Sequence, residues 1–338
     1  MKQTIFYAIA LTVMMAVGTN SHAASWRVNN DTTRGAQFAD INAAMSSEEV
    51  QDGDTLYLDP GSTLTATQNV TKRVTIIGNG YFSDLQQPYP YASINGTVYL
   101  KAAGCKIEGV FINSSCAVYA NNVTIERCRI GNSIFSNGSN CQYATIRDCM
   151  IDGSIRGNGA TSTSSMSWTI ESNIIQWAIQ DLYSASIRYN YIYYHGSYSN
   201  SHCFYNIHNS TITNNIGVRK SGSYSIIGSD FINNAYHHNL ISTAEDTAYP
   251  NNTYFETTDE SVIFTMTGPN DQKYMLCENS PAKGCADDGG NCGPYDGPYP
   301  YIPGGMPHGV PYYTDAVIGS MAHDGKVNVT LKIAVQDE

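Results

Sequence analysis

Apolar and polar residues alternate along this chain in short runs, and one run recurs. It reads Ile125-Glu126-Arg127-Cys128-Arg129-Ile130, then Ile146-Arg147-Asp148-Cys149-Met150-Ile151, then Ile170-Glu171-Ser172-Asn173-Ile174-Ile175, then Ile187-Arg188-Tyr189-Asn190-Tyr191-Ile192. Looser copies are anchored at Ile76, Ile107, Ile212 and Tyr236, so successive anchors stand 17 to 31 residues apart. A period in this range with variable insertions predicts a solenoid, in which each repeat is one supersecondary unit that buries its apolar face only against its neighbours.

Stacked on their anchors, the copies give columns of consistent chemistry. Two residues before the anchor stand Val74, Cys105, Val123, Ala144, Trp168, Ala185, Ser210 and Asn234, mostly small and apolar, and one before it stand Thr75, Lys106, Thr124, Thr145, Thr169, Ser186, Thr211 and Ala235. Inside and outside therefore alternate with a period of two, which predicts a strand. Three residues after the anchor come Asn79, Val110, Cys128, Cys149, Asn173, Asn190, Asn215 and Asn239. Asn tolerates the left-handed backbone of a tight corner, and stacked amides bond from coil to coil. The charged columns one and two residues after the anchor (Glu108, Glu126, Arg127, Arg147, Asp148, Glu171, Arg188) predict a solvated ladder of cross-coil ion pairs. This combination resembles the right-handed parallel β-helix of the pectate-lyase-like superfamily. The resemblance covers about two thirds of the chain and implies an all-β fold.

The flanks extend the picture. Phe38, Ile41, Ala44 and Met45 sit at helical spacing and Leu56 and Leu58 alternate, which predicts a cap with one short helix over residues 24–66, covering the open end of the solenoid. This arrangement looks like the first coil of many pectate-lyase-like proteins. Tyr274 to Gly284, with Ser280-Pro281-Ala282, is similar to the closing segment of exported bacterial β-helix proteins, so the coils are expected over residues 67–297. Six of the twelve prolines fall between Pro294 and Pro311, where they are excluded from central ladders. Val327, Val329, Leu331, Ile333 and Val335 then alternate with polar or small residues, which predicts a hairpin with Ala316 to Ile318 across His323-Asp324-Gly325. Residues 298–338 thus read as a Pro-rich tract followed by a small C-terminal β appendage.

Composition narrows the compartment and the partners. Met1 to Ala23, with one Lys, an apolar run from Ile5 to Val17 and the ending Ser21-His22-Ala23, has the pattern of a signal peptide cleaved before Ala24. The expected location is periplasmic, secreted or at the cell surface. Nothing further on reads as a membrane span. A net charge of -11 argues against nucleic acid, and any acidic polysaccharide would need a local basic patch or a bridging cation. Of the nine cysteines, Cys105, Cys128 and Cys149 fall in inward columns as small hydrophobes, whereas the Gly-rich stretch around Cys277, Cys285 and Cys292 suits one bridge.

Candidate chemistry lies where each coil leaves its repeat for a variable loop. Trp177, Tyr194 and Arg219 share the seventh position after their anchors, and His195 and Lys220 share the eighth; Tyr193, Asp152, Arg156 and Asp181 lie nearby in register. Stacked aromatics suit sugar rings, and basic residues beside them suit carboxylate or sulfate. The resemblance implies a polysaccharide lyase, in which a basic residue removes the proton alpha to a uronate carboxyl, often with Ca²⁺ beside it. In that reading Lys220 or Arg219 is the base, Tyr194 or His195 the acid, and Trp177, Tyr193, Asp152 and Asp181 line the substrate. The other reading is a non-catalytic surface adhesin or structural solenoid. No metal ligand set is read: His202, His208, His237 and His238 match no metal motif and read as solvated loop histidines.

Overall fold

The structure is a computed structural model. It describes residues 23–81, 90–138, 141–159, 166–196, 202–220, 226–228, 230–243, 248–268, 271–307, 312–318 and 329–334. The leader up to residue 22 and the His323-Asp324-Gly325 turn lie outside the described residues.

Three parallel sheets, here called A, B and C, run the length of the solenoid. Sheet A has ten strands, from Ser25–Val28 to Ala235–His237, and holds the first half of each repeat. Sheet B has ten, from Thr63–Leu64 to Thr253–Tyr254, and holds the second half. Sheet C has eight, from Gln68–Val70 to Phe231–Ile232, and closes each coil. The anchors pair in the predicted order, Ile76 with Ile107, then Ile125, Ile146, Ile170, Ile187, Ile212 and Tyr236. The fold is a right-handed parallel β-helix.

Period-two alternation places the anchors and the small apolar column in one continuous core. Cys105, Cys128 and Cys149 are buried free thiols there, and Cys285 is bridged to Cys292. The helix Ile41–Ser46 is N-capped by Asp40, whose carboxylate accepts from the Ala43 N–H at 2.7 Å. It buries Ile41, Ala44 and Met45 beside the first strand of sheet C, which would otherwise be an open edge.

The corner between sheets A and B differs from expectation in one respect. The left-handed residue is not the Asn but the one before it: Arg127, Asp148, Ser172, Tyr189, Asn214 and His238 all have φ between 52° and 62°. The Asn is needed for its side chain instead. Asn190 Oδ1 accepts from the Asn173 N–H and amide at 3.0 and 2.9 Å, and Asn190 Nδ2 donates to Ile170 O and to Asn215 Oδ1, each at 2.9 Å. Asn215 and Asn239 repeat the pattern, and Asn252 ends it. Replacing Asn190 with Leu strands buried donors on Asn173 and an acceptor on Asn215, so a loss of about 1–3 kcal/mol per orphaned group is expected. Urea unfolding measures this, and an unchanged midpoint would contradict the ladder.

The predicted solvated charge ladder is corrected. Glu108, Glu126, Arg127, Asp148 and Glu171 are all at most 4% exposed. The sequence after sheet B covers this corner, because the Pro-rich tract runs back along the outside of the coils. Gly293 N donates to Asn214 O, Gly297 packs on Tyr189, and the Arg147 guanidinium stands 4.7 Å from the Tyr299 ring. Arg127 Nη1 then donates to Met306 O at 2.9 Å, and Pro307 meets Gly109. Gly305 (φ 61°) must be glycine, since a Cβ there would lie 2.4 Å from Arg127 O. The strap as a whole, from Ile263 to Pro307, carries a second apolar core on the outside of sheet B, with Ile263, Phe264, Tyr274, Ala282 and Tyr301 packed over Ile174, Tyr191, Ile216, Val218 and Leu240. The last described segments, Tyr312–Ile318 and Val329–Ala334, form an antiparallel pair with Ala316 opposite Leu331.

Candidate functional site

Stacking at equal rise brings the seventh-position residues together at the corner between sheets B and C. Tyr194 and Arg219 are direct ladder partners. The Trp177 ring meets Tyr194 edge-on at 5.4 Å and His195 at 6.2 Å, and the Arg219 guanidinium lies 5.9 Å from the Tyr194 ring. Exposure separates their roles. Trp177 is 39% exposed and Lys220 and His195 are exposed, whereas Arg219 is 1% exposed. Arg219 therefore supports Tyr194 from beneath. Tyr193 is also covered: it belongs to the external core and meets His195 edge-on at 4.4 Å.

The two carboxylates fall elsewhere. Asp152 lies one coil from Gln176 and pairs with Arg129 at 3.1 Å. Asp181 stands at φ 61° within the sheet C strand Ile179–Tyr183 and accepts from Asn206 and from Gln180. The histidines are not all in loops: His208 and His237 end strands, and His237 Nδ1 faces His238 Nδ1 at 2.7 Å. Among the described residues no group of three or more His, Cys, Asp or Glu is placed to hold a metal ion.

Asp181 opens onto the outer surface of sheet C. The outward row of sheet C reads Asn69, Tyr99, Ala117, Phe135, Arg156, Gln180 and Tyr205, one residue per coil. Two clefts meet at Phe135 and Arg156. One, of about 450 Å³, is lined by Asn137, Arg156, Asn158 and Asp181. The other, of about 280 Å³, is lined by Ser115, Ser133, Ser154 and Gln180. Further along, Tyr99 and Tyr119 meet edge-on at 5.5 Å, Asn137 donates to the Tyr119 hydroxyl, and the Lys101 ammonium stands 5.3 Å from the Tyr99 ring. Tyr205 joins this trough to the aromatic corner. Burial first and then Asp181 raise its hydroxyl pKa, with Tyr194 also acting on it, while Arg156 and a bond with Gln180 oppose the rise.

No protein family, curated protein or solved structure matches the chain. On coils about 4.8 Å apart, this surface offers ring faces, hydroxyls and amides, interrupted at the covered Ala117, with the exposed Arg156 guanidinium at its centre. Such a surface can bind a long polar chain along the axis of the solenoid, stacking some units and hydrogen-bonding others. The sequence signal that could have found it is the outward residue of each third strand, Phe135, Arg156, Gln180 and Tyr205. Phe135, Arg156 and Gln180 each stand ten residues past their anchors Ile125, Ile146 and Ile170, whereas Tyr205 stands eighteen past Ile187, so the row keeps register until the longer loop before Phe204.

Proposed function

We propose that this is an exported polysaccharide-binding β-helix protein, which lays an acidic glycan along the sheet C trough and against the Trp177 corner. The carrying observation is the outward row from Tyr99 to Tyr205, broken at the covered Ala117, with the Phe135 and Arg156 clefts at its middle. Arg156 meets the carboxylate or sulfate of one unit, which a net charge of -11 would otherwise repel. Trp177 stacks on a sugar ring at one end. The signal-peptide pattern supports export, and the resemblance to pectate-lyase-like proteins supports cleavage by β-elimination. Lys220 and His195 are the exposed basic groups for that step, whereas Arg219 is buried and permanently charged. The burial of Arg219 and Tyr193 and the pairing of Asp152 with Arg129 favour the second reading, a non-catalytic adhesin that uses the same trough.

The test is retention of the mature protein on polygalacturonate, alginate and neutral glucan gels. Retention on the acidic gels is expected, and the double substitution Arg156→Ala with Trp177→Ala should abolish it at an unchanged melting temperature, since both side chains are exposed. Unchanged retention of the double variant would sink the assignment of this surface.

A further inference from the structure

The aromatic corner contains a chain of contacts that glycan binding alone does not use. His195 Nε2 lies 2.7 Å from Gln176 Oε1, and Gln176 Nε2 donates to the Tyr274 hydroxyl at 3.2 Å. Because the amide nitrogen is committed to Tyr274, the amide oxygen faces the ring, and an acceptor there requires Nε2 to carry the hydrogen. In a neutral imidazole this leaves the lone pair on Nδ1. Burial, followed by Lys220 and Lys273, holds the His195 pKa below the ordinary histidine value, so the ring is neutral at pH 7. The ring is gripped by Tyr193 at 4.4 Å and approached by Trp177 at 6.2 Å. Tyr274 belongs to the strap and is itself fixed by Tyr191 and Phe264, with ring centroids 5.1 and 5.7 Å away.

We infer that His195 accepts a proton from the bound glycan through Nδ1, and that Gln176 and the strap residue Tyr274 are positioning residues that select this atom. The inference rests on the acidic-polysaccharide reading above. Nδ1 takes the proton on the ring carbon next to the uronate carboxylate, and the C–H electron pair becomes a carbon–carbon double bond as the adjacent bond to the glycosidic oxygen breaks. That oxygen takes a proton from the Tyr194 hydroxyl, and the proton held on Nδ1 then passes through water to the Tyr194 oxygen, which resets both residues. The product is an unsaturated uronate and a shortened chain, with no oxidant or reductant needed. The strap thereby gains a role beyond covering sheet B: it sets which nitrogen of the base is free.

Two measurements on the full mature chain test this. Nitrogen-15 NMR of the His195 ring should show the neutral Nε2–H tautomer at pH 7 in the wild type and a mixture of tautomers in Tyr274→Phe. With polygalacturonate and alginate as probes, His195→Ala should lose about 10²–10⁴-fold in kcat with gel retention intact. Tyr274→Phe should lower kcat with KM unchanged, and Gln176→Glu, which keeps an acceptor oxygen, should restore the tautomer and raise the pH at which His195 titrates. An Nδ1–H tautomer, an imidazolium at pH 7, or a His195→Ala variant that cleaves as wild type does would overturn the inference. A wild type that is retained on both acidic gels but releases no unsaturated product would overturn the inference and leave the binding reading standing. Absence of retention would remove both.

Discussion

Replacing Arg127 with Ala should lower the free energy of unfolding by about 3–5 kcal/mol, the range for removing one partner of a buried ionic cluster. Arg127 is 2% exposed, its Nε lies 3.6 Å from Asp148 and 4.0 Å from Glu126, and its Nη1 holds the Met306 carbonyl of the strap. Deleting it takes a buried cation from beside the ionised Glu126 and leaves the strap without a fastening where it crosses Gly305. Glu126 is better protected. Burial pushes its pKa up, but Lys106 at 2.9 Å and Arg147 at 2.9 Å outweigh this and hold it below the ordinary glutamate value. Scanning calorimetry should show a melting temperature lower by roughly 5–10 °C. Limited proteolysis should cut between Pro294 and Pro307 sooner in the variant. A variant that melts with the wild type would mean that the strap is held by its apolar contacts alone. Asp148→Asn in the Arg127→Ala background should recover part of the loss, since the two residues share one cluster.

What the sequence made legible divides along physical lines. The coil register is fixed by alternation and by side chains that must meet their own kind one coil away, so Ile76 through Tyr236 and Asn173 through Asn239 could be stacked by eye. Alternation, however, reports only which side of its own sheet a residue faces. Glu126 and Glu171 face outward as predicted and are nonetheless buried, because a tract with no period lies over them. Prolines carry no ladder bonds and hence no repeat, so the path of Pro294 to Pro307 along the corner left no signal. The left-handed position was assigned to Asn because Asn tolerates it, yet the amide is worth more in the ladder. Arg127, Asp148 and Tyr189 take the strained backbone, held there by the coils on either side.

The candidate site was legible to the extent that it depends on register. Trp177 and Tyr194 converge because their offsets from the anchors are equal, His195 comes with Tyr194 as the next residue, and Tyr194 and Arg219 are ladder partners for the same reason. Asp152 and Asp181 separate because they stand six and eleven residues past their anchors Ile146 and Ile170, which leaves Asp152 beside Arg129 and puts Asp181 in sheet C. The burial of Arg219 could not be read either: it faces the same way as its ladder partner Tyr194, and an equal offset reports register but not what covers a side chain.

Stability should fall as the pH rises from about 5 to about 9, and Asp148 is the main cause. Burial raises its pKa to about 8, and Arg127, at 3.6 Å, stands beyond good hydrogen-bond range and offsets this only in part. An unfolded Asp releases its proton near pH 3.9. Between that value and about 8 the folded chain holds a proton that the unfolded chain has lost, so stability decreases with pH by up to about 1.4 kcal/mol per unit. It is fully present below the lower value and gone above the upper one. Glu171, Glu260 and Asp271, all raised chiefly by burial, act in the same direction. Glu126, Asp54 and Asp59 are lowered and act oppositely, but their contribution is complete once the pH passes the ordinary carboxylate range. The melting temperature should therefore peak in mild acid and decline toward pH 9, by several kcal/mol in all. Asp148→Asn keeps the neutral form at every pH, so its decline over pH 5–9 should be much shallower. Equal slopes in the two proteins, or a wild type that grows more stable toward pH 9, would show that Asp148 is ionised beneath the strap.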